Sequence, residues 1–130
     1  MKANELMIGD WIQGFVPDTY SRVEAIPNEY RLGIITSGGH YIEAAPDDFQ
    51  PIPLTPEILE KNGWKHKYYG IYQQTIGETV AIDIFPEGCS VVNRRGSERF
   101  WFRYRLPALK YVHELQHALR LCGIETEIEL

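Results

Sequence analysis

Near the end of the chain His113, Glu114 and His117 spell H-E-x-x-H. At that spacing two imidazoles one helical turn apart bind zinc and the glutamate activates the metal's water. Such a site needs a third protein ligand. The extended motif would want glycine at 120 and histidine at 123, where this chain has Arg120 and Gly123. The remaining donors are Glu125, Glu127 and Glu129 just downstream, or the distant His40 and His66. His113 and His117 also lie beside the apolar stripe Val112, Leu115 and Leu119, where a flank of His, Glu, Gln and Arg reads as a solvated helix face. No bound metal is expected, and a zinc hydrolase with Glu114 as its base is kept only as an alternative.

A second chemistry lies in RRGSERFWFRYR, residues 94–105, which sets five arginines and four aromatics against a single acid, Glu98. If 99–106 is extended, Phe100, Phe102, Tyr104 and Leu106 share one face and Arg99, Trp101, Arg103 and Arg105 the other. Guanidiniums flanking an indole can stack on bases or hold phosphates. The structural alternative is pairing with acids of neighbouring strands, such as Asp83 or Glu78. The candidate binding residues are therefore Arg94, Arg95, Arg99, Trp101, Arg103 and Arg105. Lys65, His66 and Lys67 with Tyr68, Tyr69 and Tyr72 would extend that basic surface, although three such tyrosines read first as half-buried cross-strand partners. Glu43, Asp47 and Asp48 lack the spaced oxygen ligands of a calcium loop. There is no Gly-rich phosphate loop, no G-x-S-x-G elbow and no Cys-His pair at helical or turn spacing, so no cofactor is expected.

The elements that must position these residues follow from periodicity and turn chemistry. Short strand-like runs at Trp11–Val16, Tyr20–Ile26, Arg31–Thr36 and His40–Ala44 are divided by Pro17-Asp18, Pro27-Asn28 and Ser37-Gly38-Gly39. Val23, Ile26, Leu32, Ile34, Tyr41 and Phe49 would fill a small core, and a sheet closing on itself would form an SH3-like barrel over residues 1–50. In PIPLTPEILEKNGW, Thr55 caps a short helix, Pro56 opens it and Gly63 stops it, with Trp64 placed to pack on Leu59. Strand-like runs resume at 65–69, 72–76, 79–85, 89–93 and 99–104. The longest helical pattern, Pro107–Gly123, follows, ended by Gly123 with Ile124 folding back on Leu119. Thr126–Leu130 alternates well enough for a closing strand. The predicted class is α+β: the barrel lobe, then a lobe over 51–130 with an antiparallel sheet and two helices.

At 130 residues with 44% hydrophobic content the chain suits one or two small folded lobes. A net charge of −5 argues against coating nucleic acid or anionic membrane by bulk charge. No run approaches a membrane span, and MKANELMIGDW lacks the apolar core of a signal peptide, so a cytoplasmic location without membrane association is expected. Cys89 and Cys122 have no C-x-x-C spacing and read as buried thiols.

PIPLTPEILEKNGW, the strand-turn-strand after it, and LKYVHELQHAL, together with the opening ELMIGDWIQ, resemble a group of small uncharacterised proteins. These are common in gut Bacteroides and their relatives, often within prophages and conjugative elements. The resemblance implies an accessory role in a mobile element and brings no established activity, cofactor or catalytic residue. It also implies that Tyr111–Leu119 is a helix-packing motif. The expected function is a non-enzymatic binding or assembly role toward a protein partner, the alternative being nucleic-acid binding through the strip at 94–105.

Overall fold

The computed structural model describes residues 1–14, 18–67, 69–76, 80–94 and 101–130; the side chains of 76, 91–94 and 101–107 lie outside the description. The chain divides into two units: Met1–Pro53 with Tyr111–His117, and Leu54–Lys110 with Ala118–Leu130. Among the described residues the class is α+β, with two antiparallel sheets and two helices. None of the described helices is long and apolar enough to cross a membrane.

The first unit opens with a 3-10 turn, Ala3–Glu5. A β-turn follows, closed by the Asp10 N–H donating to the Met7 carbonyl (3.1 Å). Gly9 takes φ +93° at the third position of that turn, a backbone that favours glycine. Strands β1 (Trp11–Gln13), β2 (Tyr20–Asn28), β3 (Arg31–Ile35) and β4 (Tyr41–Ala44) then form a meander in sequence order. The Asn28 side chain shapes the β2–β3 turn by accepting from the Tyr30 N–H (2.8 Å). Across β1 and β2 the Arg22 guanidinium lies 5.3 Å from the centre of the Trp11 ring.

Ala3, Leu6, Ile12, Val23, Leu32, Ile34 and Phe49 form this unit's buried cluster. Tyr41, expected in it, is 52% exposed. The two-residue alternation of β3 gives Leu32 and Ile34 to the core and Gly33 to the other face. There the Tyr41 ring lies over the bare glycine, its hydroxyl 2.2 Å from where a Gly33 Cβ would stand. The sheet does not close into a barrel among the described residues. A 3-10 turn, Pro46–Asp48, leads instead to an isolated bridge between Gln50 and Gln13.

The second unit begins with α1 (Pro56–Lys61). Thr55 accepts from the Ile58 N–H at its start (3.3 Å). At its end Gly63 (φ +93°) lets the Trp64 N–H reach the Leu59 carbonyl (3.0 Å). Leu59 and Trp64 are both buried. Strands β5 (Lys65–His66), β6 (Tyr72–Ile76), β7 (Val80–Phe85), β8 (Gly88–Arg94) and β9 (Trp101–Pro107) make an antiparallel sheet in sequence order.

Pro107, expected inside the last helix, is the last residue of β9, and α2 runs Val112–Leu121. The shortening follows from backbone pairing upstream of it. Tyr111 bridges Pro53, the Val112 N–H donates to the Ile52 carbonyl (2.9 Å), and in the second unit the Leu54 N–H donates to Lys110 (2.9 Å). A residue bridged to another strand-like residue, as Tyr111 is, cannot also be helical, whereas the Val112 N–H is one of the first-turn donors that a helix leaves for an outside acceptor. The C-terminal stop forms as expected: Gly123 has φ +72° and the Ile124 N–H meets the Leu119 carbonyl (2.9 Å).

The expected closing strand, Thr126–Leu130, is not formed: described residues 124–130 belong to no strand. The amide of Asn62 takes the place of a strand partner. It accepts from the Glu129 N–H and donates to the Glu129 carbonyl, each at 2.7 Å.

Both helix-ending glycines adopt backbone that costs any other common residue about 1–2 kcal/mol. A Cβ on Gly123 meets nothing within 4 Å, whereas one on Gly63 falls 2.8 Å from the Gln74 amide nitrogen. Gly123→Ala and Gly63→Ala are each expected to cost about 1–2 kcal/mol, because the atom facing a Gly63 Cβ is the end of the flexible Gln74 side chain, which can turn aside. Urea midpoints compare the two directly, and no loss in either would contradict the left-handed strain.

Candidate functional site

Residues 112–117 of α2 carry the first unit's chemistry, and most of it is directed at the turn Met7–Asp10 and the start of β1. The Gln116 side chain accepts from the Trp11 N–H (2.9 Å) and donates to the Gly9 carbonyl (3.0 Å). One turn of chain thus has both a donor and an acceptor met by one amide. Asp10 is 0% exposed. Its Oδ2 accepts from the Met7 N–H (2.8 Å) and lies 2.6 Å from the His117 Nε2. A buried carboxylate is tolerated only when so bonded. Backbone bonds complete the clamp, with Gly9 donating to Val23 (2.6 Å) and Val23 donating to Asp10 (2.9 Å).

The helix flank is therefore only in part the solvated face that its residue types suggest, with Glu114, His117 and Arg120 half-exposed and the other two polar residues buried. His113 and Gln116 are each 7% exposed, and of the described helix residues only Leu121 is fully open. The cause is the polar backbone opposite: a turn rich in N–H and C=O groups needs polar side chains to cover it.

Beside this clamp lies a cleft of about 800 Å³, lined by Glu5, Met7, Pro51, Tyr111, His113, Glu114 and His117 among others. The Tyr111 and His113 rings stack with centres 5.8 Å apart and planes 8° from parallel. His113 meets His117 edge to face at 5.6 Å. The His113 Nδ1 is buried with no partner among the described groups. Burial holds the His113 pKa below its ordinary 6.5, and the nearby His117 pushes the same way; Asp10, Glu114 and Glu5 oppose them.

The H-E-x-x-H donors are thus near one another, but their geometry is not that of a metal centre. His117 presents its Nε2 to Asp10, and among the described residues no group of three or more His, Cys, Asp or Glu converges to hold an ion. Among the described residues no Ser, Thr or Cys side chain lines the cleft, so the Asp10–His117 pair has no nucleophile among them to activate there.

The arginine strip is placed only in part. The register sets Arg94 opposite Trp101, Arg103 opposite Val92 and Arg105 opposite Ser90. The side chains of Arg94, Trp101, Arg103 and Arg105, and the whole of Arg95 and Arg99, lie outside the described residues. Asp83, an expected partner of these arginines, accepts from the Gln73 amide (2.7 Å). Of the tyrosine group, Tyr68 lies outside the described residues, Tyr72 meets the His66 ring edge-on at 5.2 Å, and Tyr69 is 90% exposed at a turn rather than half-buried. Cys89 is buried as expected, its thiol pushed up to about 11 by desolvation first and then by Cys122 and Asp83, whereas Cys122 is only half-buried. Asp10, Gln116, Tyr111 and Glu5 were not foreseen as site residues. Gly9-Asp10 signals a turn, but nothing local says that its acid is buried. Searches of family models, curated proteins and solved structures find no match to this chain.

Asp10→Ala strips an acceptor from both Met7 and His117 and is expected to cost about 2–3 kcal/mol in urea unfolding. Gln116→Ala leaves the Trp11 N–H and the Gly9 carbonyl without their partner and is expected to cost about 1–3 kcal/mol. A second outcome concerns pH. Because His113 titrates lower when folded than when unfolded, the unfolded chain binds more protons in that range. Its contribution to stability is complete above the ordinary value and is lost as pH falls from there through the folded pKa. Stability measured from pH 8 to pH 5 (about three units) should fall less steeply in His113→Gln than in the parent.

Proposed function

We propose that this chain is a non-enzymatic binding or assembly protein of a bacterial mobile element, acting in the cytoplasm through its first unit. That unit is read as a small SH3-like fold, left partly open. The meander, the 3-10 turn after β4 and the Gln13–Gln50 bridge support this reading. The observation that carries the binding role is how α2 is used. Gln116 and His117 hold a turn whose Met7 and Ile8 are 45% and 62% exposed. A turn clamped by buried polar bonds while it presents apolar side chains to solvent is arranged for contact with another molecule.

Zinc hydrolysis is not supported by the donor set, because the nitrogen that would bind the metal faces Asp10. A second reading, nucleic-acid binding through the strip at 94–105, is favoured by the register that sets Arg94 beside Trp101.

Metal analysis of protein purified without chelator is expected to find less than about a tenth of an equivalent of zinc, whereas a full equivalent lost on His113→Ala would make this an enzyme candidate. Binding to mixed single- and double-stranded DNA, titrated with salt, tests the second reading. A steep log-linear fall in affinity would support it, and no binding at low salt would remove it.

A further inference from the structure

We propose that the cleft beside α2, with the neighbouring turn, docks an extended segment of a partner protein in which arginine and large apolar residues occur together. The proposal rests on the binding role above and names the partner's chemistry.

The apolar half of the surface is Met7, which lines the cleft, and Ile8, its neighbour in the turn. Their backbone is fixed by the Asp10 and Gln116 bonds before any partner arrives, so little ordering entropy is lost on contact. The polar half is acidic. Glu5 and Glu114 line the cleft, and among the described residues no Lys or Arg side chain does. The ammonium of Met1, itself a lining residue, lies 3.8 Å from the Asp47 carboxylate. An acidic cleft repels phosphate and favours a cationic side chain.

The stacked rings select among cations. Tyr111 and His113 stack nearly parallel and both line the cleft, so the half-buried Tyr111 ring, backed by the buried imidazole, offers an aromatic surface among residues that include Glu5 and Glu114. A guanidinium is planar, stacks on such a surface and bonds a carboxylate with two N–H groups, which a lysine ammonium cannot do. His113 supplies an independent sign of a ligand: it is 7% exposed, lines the cleft and has a ring nitrogen with no partner among the described groups.

The test uses the 130-residue chain, isotope-labelled for NMR, and an acetylated, amidated hexapeptide alternating leucine and arginine. Amide shifts are expected in residues 4–9 and 111–117. Replacing arginine by citrulline, its neutral isostere, should weaken binding by about tenfold or more. Glu5→Gln with Glu114→Gln should abolish that preference, and Ile8→Ser should weaken both peptides, with all variants keeping the parent spectrum elsewhere. Equal binding of the citrulline peptide, shifts confined to other residues, or none at millimolar peptide would overturn the proposal. A glutamate-leucine peptide that binds residues 4–9 and 111–117 at least as well would overturn the arginine assignment and leave the binding role standing. A full equivalent of tightly held zinc would overturn the binding role itself.

Discussion

Asp10 has no exposed surface, and an ionised carboxylate taken out of water must recover its lost hydration from bonds inside the fold. It does so with the Met7 N–H on one side and the His117 ring on the other. Those two bonds fix where the amino-terminal turn lies against the start of α2. Gln116 then finds the Trp11 N–H and the Gly9 carbonyl at bonding distance, and β1 enters the meander in the register that pairs Trp11 with Arg22. If the carboxylate were elsewhere, the helix would present polar side chains to a turn with unmet backbone groups, and neither surface would tolerate burial.

Local signals were legible in the sequence wherever a few consecutive residues decide the outcome. Thr55 and Pro56 start α1, Gly63 ends it, and Gly123 with Ile124 ends α2, because capping needs only a backbone angle and one side chain within four positions. The start of α2 was misread for the complementary reason. Pro107 is as well suited to the last position of an edge strand as to the first turn of a helix, and only the pairing of Tyr111 with Pro53 decides between them. Thr126–Leu130 shows the same limit, since alternation cannot reveal that a side-chain amide, Asn62, stands where a strand would.

The candidate site was half legible. The H-E-x-x-H spacing pointed to the right helix turn, yet the residue that gives His117 its task is 107 positions away, and Gly9-Asp10 carries no mark of burial. Histidine, glutamine and aspartate are read as solvent-facing because they usually are. Here Asp10 and Gln116 are buried because backbone groups of the amino-terminal turn and, for Asp10, the His117 ring meet their hydrogen bonds. The cleft is hidden from the sequence for the same reason: nothing in a polar helix flank says that Tyr111 and His113 stack on each other and line a cleft with Glu5.

The same residue types at the same spacing can build a metal centre or a clamp, and the two make different demands on each position. A metal requires a lone pair from residue 117, so an amide there is a poor substitute. The clamp requires a donor toward Asp10, which an asparagine or glutamine amide supplies as readily as an imidazole N–H. At 116 the demands diverge further: a catalytic helix accepts many residues at that position, whereas the Trp11 N–H and the Gly9 carbonyl together need a side chain that both accepts and donates at glutamine's reach. Glutamate could accept from Trp11 but would set an oxygen against the Gly9 carbonyl. Gln116, which a zinc-binding reading treats as a spacer, is thus the residue of the motif that the fold constrains most.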